Sequence, residues 1–148
     1  MMTTQISKAK EDLKGAIKGN VLVPDDADYE EARQVWNAMI DRRPALIVQC
    51  AQADDVPPVI RFARQYGLEL SIRGAGHNIG GNALCDNGVT IDFSRMKNVR
   101  VDAGKRRAYV EPGATLANLD EATQAHGLAT PVGINSTTGI ADFTAAPW

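Results

Sequence analysis

The 148-residue sequence has few cysteines, almost no net charge and no long apolar run. Two cysteines, Cys50 and Cys85, are too few for a disulfide scaffold. The net charge of −2 argues against a general binder of nucleic acid or of anionic membranes. Since no stretch of about 18 apolar residues occurs, we predict no membrane-spanning segment. The opening MMTTQISKAKEDLKG lacks an apolar core and a cleavage-like site, so we expect a cytoplasmic protein without a secretory signal.

Composition and hydrophobic periodicity predict a globular α+β protein. Apolar residues make up 44% of the chain and charged residues 23%, which is typical of a soluble domain. Helical spacing of apolar residues predicts helices over 5–17, 28–40, 54–66 and 115–126, with Trp36, Met39 and Tyr66 on inner faces. Strands are predicted over 45–48, 68–73, 89–93, 99–101 and 107–111, and an extended tail over 128–148. Residues 45–73 form a strand–helix–strand unit whose two strands should be parallel.

A glycine-rich turn, Arg73-Gly74-Ala75-Gly76-His77-Asn78-Ile79-Gly80-Gly81, follows the second of these strands. Backbone N–H groups in such a turn can point inward and bind phosphate oxygens, and Arg73 can add a charged contact. The glycine spacing differs from the Rossmann fingerprint, no predicted helix follows the turn, and the sequence contains no Walker A pattern. From spacing alone, the turn is either a phosphate-binding loop or a surface turn without a ligand.

Two histidines and a hydroxyl-rich segment are further candidates. His77 can contact a ligand, titrate near neutral pH or act as a nucleophile, or it can be a turn histidine bonded to backbone. His126 lies in the last predicted turn of a helix, where a cation suits the helix dipole. The segment Ser136-Thr137-Thr138 is either a second phosphate contact or a polar loop. Cys50 and Cys85 share no metal-type spacing, so we expect ordinary thiols and no metal site.

The order of several short motifs resembles the flavin-binding part of the berberine bridge enzyme-like oxidases, within the vanillyl-alcohol oxidase type of flavoproteins. The resemblance runs from about Val21 to Ala141. Its motifs are Tyr29-x-x-x-Arg33-x-x-Trp36-Asn37, Ile40-Asp41-x-Arg43-Pro44-Ala45, Asp55-Val56, Arg73 to Asn78, Gly88-Val89-x-Ile91-Asp92 with Ser94, Pro112-Gly113-Ala114 and His126 to Gly133.

The resemblance implies a PCMH-type FAD-binding domain of two small α/β subdomains. FAD would be the cofactor, with its pyrophosphate held by Arg73, Gly74, Ala75, Gly76, His77 and Asn78. His77 would form the covalent bond to the flavin 8α-methyl group. Gly133, Thr138, Gly139 and Ile140 would line the flavin. Thr130 stands before Pro131 where some relatives carry a second linking cysteine, so no second bond is expected.

The end of the sequence departs from that family pattern. Relatives continue after the equivalent of Ala141 with a glycine-rich run, whereas this chain reads Asp142-Phe143-Thr144-Ala145-Ala146-Pro147-Trp148. We therefore expect an N-terminal helix over 1–20 and an incomplete FAD-binding domain over 21–148, without the family's substrate domain and catalytic base.

Two functions remain open on the sequence alone. The first is the flavin-binding portion of an oxidase that removes hydride from a C–H bond beside oxygen or nitrogen. It would turn over a small-molecule substrate only if the later part of the protein were supplied, and its catalytic residues are unknown. The second is a non-catalytic remnant or a small module that binds an anion or a nucleotide.

Overall fold

The computed structural model describes residues 10–144, which form a four-stranded sheet, a two-stranded sheet, five α-helical segments and one 3₁₀ helix at Ala53–Asp55. The elements, in chain order, are α1 (residues 10–16), β1 (Asn20–Leu22), α2 (Tyr29–Ala32), β2 (Leu46–Gln49), α3 (Val56–Tyr66), β3 (Leu70–Arg73), β4 (Val89–Asp92), β5 (Val99–Asp102), β6 (Arg107–Val110), α4 (Leu116–Gln124) and α5 (Ile140–Thr144). The predicted α+β class is confirmed. Residues 5–9 of the first predicted helix and 145–148 of the tail lie outside the described residues.

The larger sheet has the strand order β1-β2-β4-β3. β1 is antiparallel to β2, whereas β2 and β3 each pair with β4 in parallel. The two strands of the predicted strand–helix–strand unit are therefore parallel, but β4 lies between them. The carboxyl ends of three strands meet at one edge of this sheet, which is where open α/β sheets place ligand sites.

The core lies between α3 and the larger sheet. The core residues from α3 lie on one face of the helix, and those from β2 and β4 lie at alternate positions along each strand. The buried members are Leu13, Val21, Leu46, Val48, Cys50, Val59, Phe62, Ala63, Val89, Ile91 and Met96. Burial of apolar surface at about 25 cal/mol per Å² stabilises this arrangement. Tyr66 is 45% exposed, so its predicted inward orientation is wrong.

Residues at the two ends of α3 determine where this helix begins and ends. Asp55 is the N-cap residue of α3, and its carboxylate accepts from backbone N–H groups outside the helix. Gly67 follows the last helical residue with φ of +62°, a left-handed conformation that glycine adopts without steric cost. The predicted stop at Gly67 is confirmed.

The predicted long helix over 28–40 is wrong after its first turn. Only Tyr29–Ala32 is helical, and Asp28 makes no side-chain cap hydrogen bond. Trp36 and Met39 are 64% and 90% exposed, so neither packs in the core. The reason is tertiary: the N–H group of Trp36 donates to the carbonyl of Gly76 at 2.9 Å instead of continuing the helix.

The C-terminal part pairs a hairpin with a capped helix. β5 and β6 are antiparallel, and α4 starts at Thr115 with a capping box formed with Asn118. On α4 and just after it, Thr123 is buried and Ala125 is exposed. The predicted extended tail is interrupted by α5, which follows an isolated β-bridge between Thr115 and Gly139.

Candidate functional site

The glycine-rich loop leaves the sheet at the carboxyl end of β3, and no helix follows it before β4. Gly76 has φ of +82°, a conformation that L residues with side chains rarely adopt. A Cβ atom on Gly74 would approach the Pro112 carbonyl oxygen to 3.1 Å. Gly76 therefore needs glycine for this backbone path, and a side chain at Gly74 would require the Pro112 carbonyl to shift by a few tenths of an ångström.

A carboxylate lies against the loop. One oxygen of Asp142, Oδ2, accepts hydrogen bonds from the backbone N–H groups of Ala75 at 3.1 Å and of His77 at 3.3 Å. Two N–H groups that converge on one anionic oxygen form the concave arrangement known from phosphate-binding turns. The loop backbone therefore has the chemistry of an anion site.

Arg73 anchors the start of the loop. Its Nη1 atom lies 3.3 Å from Oδ2 of the fully buried Asp92, and its Nη2 donates to the Gln34 carbonyl at 2.9 Å. Its Nε atom is buried and has no hydrogen-bond partner. A Cβ atom on Gly76 would lie 3.1 Å from this Nε. Two of the three guanidinium nitrogens thus hold the loop, and the third is an unsatisfied donor beside it.

The segment after α2 holds the outer side of the loop. Besides the Trp36–Gly76 backbone bond, Nδ2 of Asn37 donates to the Ile79 carbonyl at 2.9 Å. The Ile40 side chain fills the space where a Cβ atom of Gly81 would lie. These contacts explain why residues 33–40 leave the helical conformation, since they satisfy their polar groups on the loop.

The imidazole of His77 is half-buried at the rim of the loop. Its ring stacks on the Trp36 indole with centroids 5.9 Å apart and 21° between the planes. Within residues 10–144, neither ring nitrogen of His77 makes a hydrogen bond. The ring is therefore oriented by stacking, with its nitrogens available to a ligand.

The second predicted segment meets the loop at Gly139. A Cβ atom on Gly139 would lie 2.7 Å from the Cβ atom of Ala75 and 3.0 Å from its backbone nitrogen. Thr138 and Ile140 fix this approach, because the Thr138 carbonyl accepts from the Leu116 N–H at 2.9 Å and the Ile140 N–H donates to the Ala114 carbonyl at 2.9 Å.

Two of the predicted site residues have other surroundings. Gly133 lies in the irregular segment between α4 and α5, and among the described residues no hydrogen bond joins it to the loop. Asn78 turns back on its own chain, with its Oδ1 accepting from the Asn82 N–H at 2.9 Å. The structure thus brings Gly139 to the loop, whereas among residues 10–144 no hydrogen bond joins Gly133 to it.

A cavity of about 480 Å³ opens at the carboxyl edge of the larger sheet. It is lined by Asp28, Glu31, Ala32, Gln49, Arg73 and Ser94. Two acidic residues and one arginine line it, so the charge of this lining does not favour a phosphate group. The anion-binding chemistry lies at the loop amides instead.

Sequence reasoning missed the roles of Asp142 and Trp36. Asp142 stands 65 residues from His77, so no local pattern connects them. Its one signal was an acidic residue directly after the Gly139-Ile140-Ala141 match. Trp36 belonged to a resemblance motif, but its helical spacing favoured a core position.

The remaining polar candidates do not form a metal or thiol site. Within the described residues, no group of three or more His, Cys, Asp or Glu side chains is arranged to hold a metal ion. Cys50 and Cys85 are free and buried. Burial, followed by the Asp55 and Asp92 carboxylates, raises the pKa of Cys50 to about 12. Over the same residues, no helix combines the length and apolar character needed to cross a membrane.

Family comparison identifies the class of protein. Residues 44–145 match the family model described as FAD binding domain, so the chain belongs to that family. The curated (R)-6-hydroxynicotine oxidase of Paenarthrobacter nicotinovorans is 33% identical over 84% of this chain and 27% of its own length. An uncharacterized FAD-linked oxidoreductase of Bacillus subtilis is 34% identical over 88% of this chain and 29% of its own length.

Solved structures agree with the family assignment. The crystal structure of 6-hydroxy-D-nicotine oxidase from Arthrobacter nicotinovorans matches with a TM-score of 0.80 and 33% identity, covering 83% of this chain and 27% of that chain. The BBE-like 1 protein of Physcomitrella patens shares the fold, with a TM-score of 0.80 at 24% identity over 90% of this chain and 29% of that chain. The predicted resemblance and the PCMH-type FAD-binding fold are confirmed. The chain corresponds to the FAD-binding portion of FAD-linked oxidoreductases and spans under a third of these relatives.

The residues present fit the anionic part of FAD. The Ala75 and His77 amides already bind an anionic oxygen, and the Arg73 Nε is a buried donor without a partner. Gly76 presents no side chain that would block the approach to the loop. The two amide donors, which converge on one oxygen, suit a pyrophosphate oxygen.

Proposed function

We propose that the loop Arg73–Asn78 binds the pyrophosphate of FAD and that His77 attaches the flavin covalently. The observation that carries the proposal is the pair of loop N–H groups converging on one anionic oxygen, with the His77 ring beside them. In the covalent bond, an imidazole nitrogen would take the place of one hydrogen on the 8α-methyl carbon. The methyl group and the imidazole would each lose one proton to solvent, and the flavin itself would supply the oxidising capacity by accepting the two electrons. Both ring nitrogens lack a partner within residues 10–144, which supports this role.

The other proposed site residues position the cofactor. Gly74 and Gly76 allow close approach of the backbone, Arg73 supplies positive charge beside the loop, and Asn78 shapes the turn that follows His77. A second wall along the flavin would come from Gly133, Thr138, Gly139 and Ile140. Gly139 supports this assignment by its close approach to Ala75.

We further propose that the whole protein is an oxidase of small molecules. Bound FAD supplies the capacity to accept a hydride, here from a C–H bond beside oxygen or nitrogen. In the described chain, the loop would hold and orient the cofactor, and no substrate base is assigned. The net charge of −2 supports a small-molecule ligand rather than nucleic acid or a membrane surface. Buried free thiols support a reducing, cytoplasmic location.

The alternative function is a non-catalytic module that binds an anion or a nucleotide. The Ala75 and His77 amides support this function as well as they support FAD binding, because these donors recognise any anionic oxygen and not flavin in particular. The two functions differ at His77. A covalent flavin needs its ring, whereas simple anion binding uses only its backbone N–H.

The test is visible absorbance of the purified protein, loaded with FAD, before and after acid precipitation. We expect flavin absorbance in the pellet of the original protein and of His126→Ala, whose histidine is exposed and outside the loop. We expect none in the pellet of His77→Ala. Flavin in the supernatant of all three would support binding without the bond. Protein that stays colourless after FAD is added would contradict the proposal.

A further inference from the structure

The Asp142 carboxylate occupies the position that an anionic ligand of the loop would take. Its Oδ2 is the acceptor for both the Ala75 and the His77 amides. These two residues flank Gly76, whose positive φ turns the backbone between them. A single side-chain oxygen thus satisfies both inward-facing donors of the loop.

Position in the fold keeps this carboxylate in place. The isolated bridge between Thr115 and Gly139 fixes the chain immediately before α5. The Ala141 side chain lies against Gly74, at 3.3 Å from where a Cβ atom would stand. Because Gly139 has no side chain, the Asp142 carboxylate can lie over it and reach the loop.

A phosphate oxygen and this carboxylate cannot share the site. Each N–H has one hydrogen to donate, and each donor here is already used by Asp142. Two negative charges at hydrogen-bonding distance of the same donors also repel each other. A bound phosphate therefore requires that Asp142 leave the loop amides.

We propose that Asp142 is an intramolecular competitor that autoinhibits anion binding at the loop. The inference rests on the proposed function, since the competing ligand is the pyrophosphate group of FAD. Within the described residues α5 spans five positions, so movement of Asp142 disrupts few helical hydrogen bonds there. Ligand binding then displaces the carboxylate from the Ala75 and His77 amides.

Calorimetric titration with FAD, and separately with inorganic pyrophosphate, tests the competition. Asp142→Asn removes the charge and keeps the shape, and Asp142→Ala removes the acceptor as well. Glu121→Gln, which neutralises an exposed carboxylate on α4, is the matched control. We expect about tenfold tighter binding for both Asp142 variants and an unchanged affinity for the control, because a charge-assisted hydrogen bond no longer has to be displaced.

Amide spectra give a second measurement that needs no ligand. In ¹H–¹⁵N correlation spectra, the amide protons of Ala75 and His77 should move upfield in Asp142→Ala relative to the original protein. Addition of pyrophosphate should shift them back downfield in this variant. Unshifted Ala75 and His77 signals would mean that the carboxylate is not their acceptor and would overturn the inference.

The outcomes separate this inference from the proposed function. If both Asp142 variants bind pyrophosphate more tightly and no protein binds FAD, competition by Asp142 is supported and the proposed FAD binding is contradicted. If the Asp142 variants bind FAD no more tightly than the original protein does, competition by Asp142 is overturned, while FAD binding itself stands. If no protein binds either ligand, both proposals fail.

Discussion

The indole of Trp36 stacks on the imidazole of His77, with ring centroids 5.9 Å apart. Trp36 is 64% exposed, so its orientation depends on this stack and on its backbone bond to Gly76. The contact joins the segment after α2 to the rim of the glycine-rich loop. It makes Trp36 a positioning residue for the ring that we propose to carry the flavin.

Removal of the indole should slow flavin attachment. Aromatic pairs contribute about 0.5–1.5 kcal/mol, so Trp36→Ala should lower the initial rate of covalent attachment by about two- to tenfold. Trp36→Phe keeps a stacking ring and should retain most of the rate. The measurement is acid-stable flavin absorbance against time after FAD is added. Equal rates for all three proteins would show that the stack does not position His77.

Addition of one methyl group at Gly139 should push the segment around Gly139 away from the loop at Ala75. A Cβ atom there would lie 2.7 Å from the Ala75 Cβ atom, which is closer than carbon atoms pack. A Cβ atom on Gly139 would also displace the Asp142 carboxylate, so FAD binding is compared in an Asp142→Ala background. There we expect Gly139→Ala to weaken FAD binding at least about tenfold and to destabilise the fold by about 1–3 kcal/mol through overpacking. Titration with FAD and urea unfolding measure the two effects.

Gly15→Ala is the matched control for that substitution. Gly15 lies in α1, and a Cβ atom added there meets nothing within 4 Å. Alanine in a helix is favoured over glycine by about 0.5–1 kcal/mol, so this variant should be equally or more stable. Normal FAD affinity in Gly139→Ala would mean that Gly139 is not part of the flavin site.

The buried Asp55 carboxylate should stabilise the fold. Its Oδ1 accepts from the Lys18 N–H at 2.9 Å and its Oδ2 from the Ala51 N–H at 2.8 Å. Asp55→Asn leaves one of these donors without an acceptor, and we expect a loss of about 1–3 kcal/mol in the free energy of unfolding. Asp54→Asn, at the exposed neighbouring position, should change it by less than about 0.5 kcal/mol. Urea unfolding compares them.

The Asp55 contribution should depend on pH. Burial raises the pKa of this carboxyl, but the backbone hydrogen bonds outweigh it and hold the pKa below its ordinary value of 3.8. A depressed folded-state pKa gives stability that is complete above the unfolded value and is lost as pH falls through the folded value. The difference between the original protein and Asp55→Asn should therefore persist at about pH 7 and shrink as the pH falls below 3.8, the ordinary pKa of the carboxyl. A difference that stayed constant to acid pH would contradict the assignment.

Neither cysteine should react in the folded protein. The pKa of Cys50 is raised by burial to about 12, and Cys85 is 1% exposed. Since the thiolate is the reactive form, a disulfide reagent at about pH 8 should label neither thiol before unfolding. Both thiols should react in denaturant, and the Cys50→Ala variant should show one reactive thiol under the same conditions. Rapid native labelling would mean that the core opens on the time scale of the experiment.

Several elements were predictable because their causes are local. Strand β2 follows from the apolar run that ends in Val48. The end of α3 follows from the left-handed Gly67, and the start of α4 from the cap at Thr115. The loop Arg73–Gly81 was recognisable because its glycine content permits a backbone that few other sequences adopt. These features identified the α+β class and the candidate anion loop before any tertiary contact was known.

The segment 33–40 was not predictable from periodicity. Its apolar spacing has the helical period, and its Trp36 fits an inner helix face. The helix ends because the Trp36 N–H donates to the Gly76 carbonyl and the Asn37 side chain donates to the Ile79 carbonyl. Both acceptors lie about forty residues further along the chain. Local propensity is a weak prior that such tertiary hydrogen bonds override.

The sequence by itself determined which residues can turn tightly, which face of each regular element is apolar, and that the chain carries a glycine-rich loop with a histidine. Only the tertiary structure decided what satisfies the donors of that loop. Asp142 reaches Ala75 and His77 across 67 and 65 residues of chain. A hydrogen bond depends on distance and direction in space, and neither quantity is encoded in the spacing of residues along the sequence.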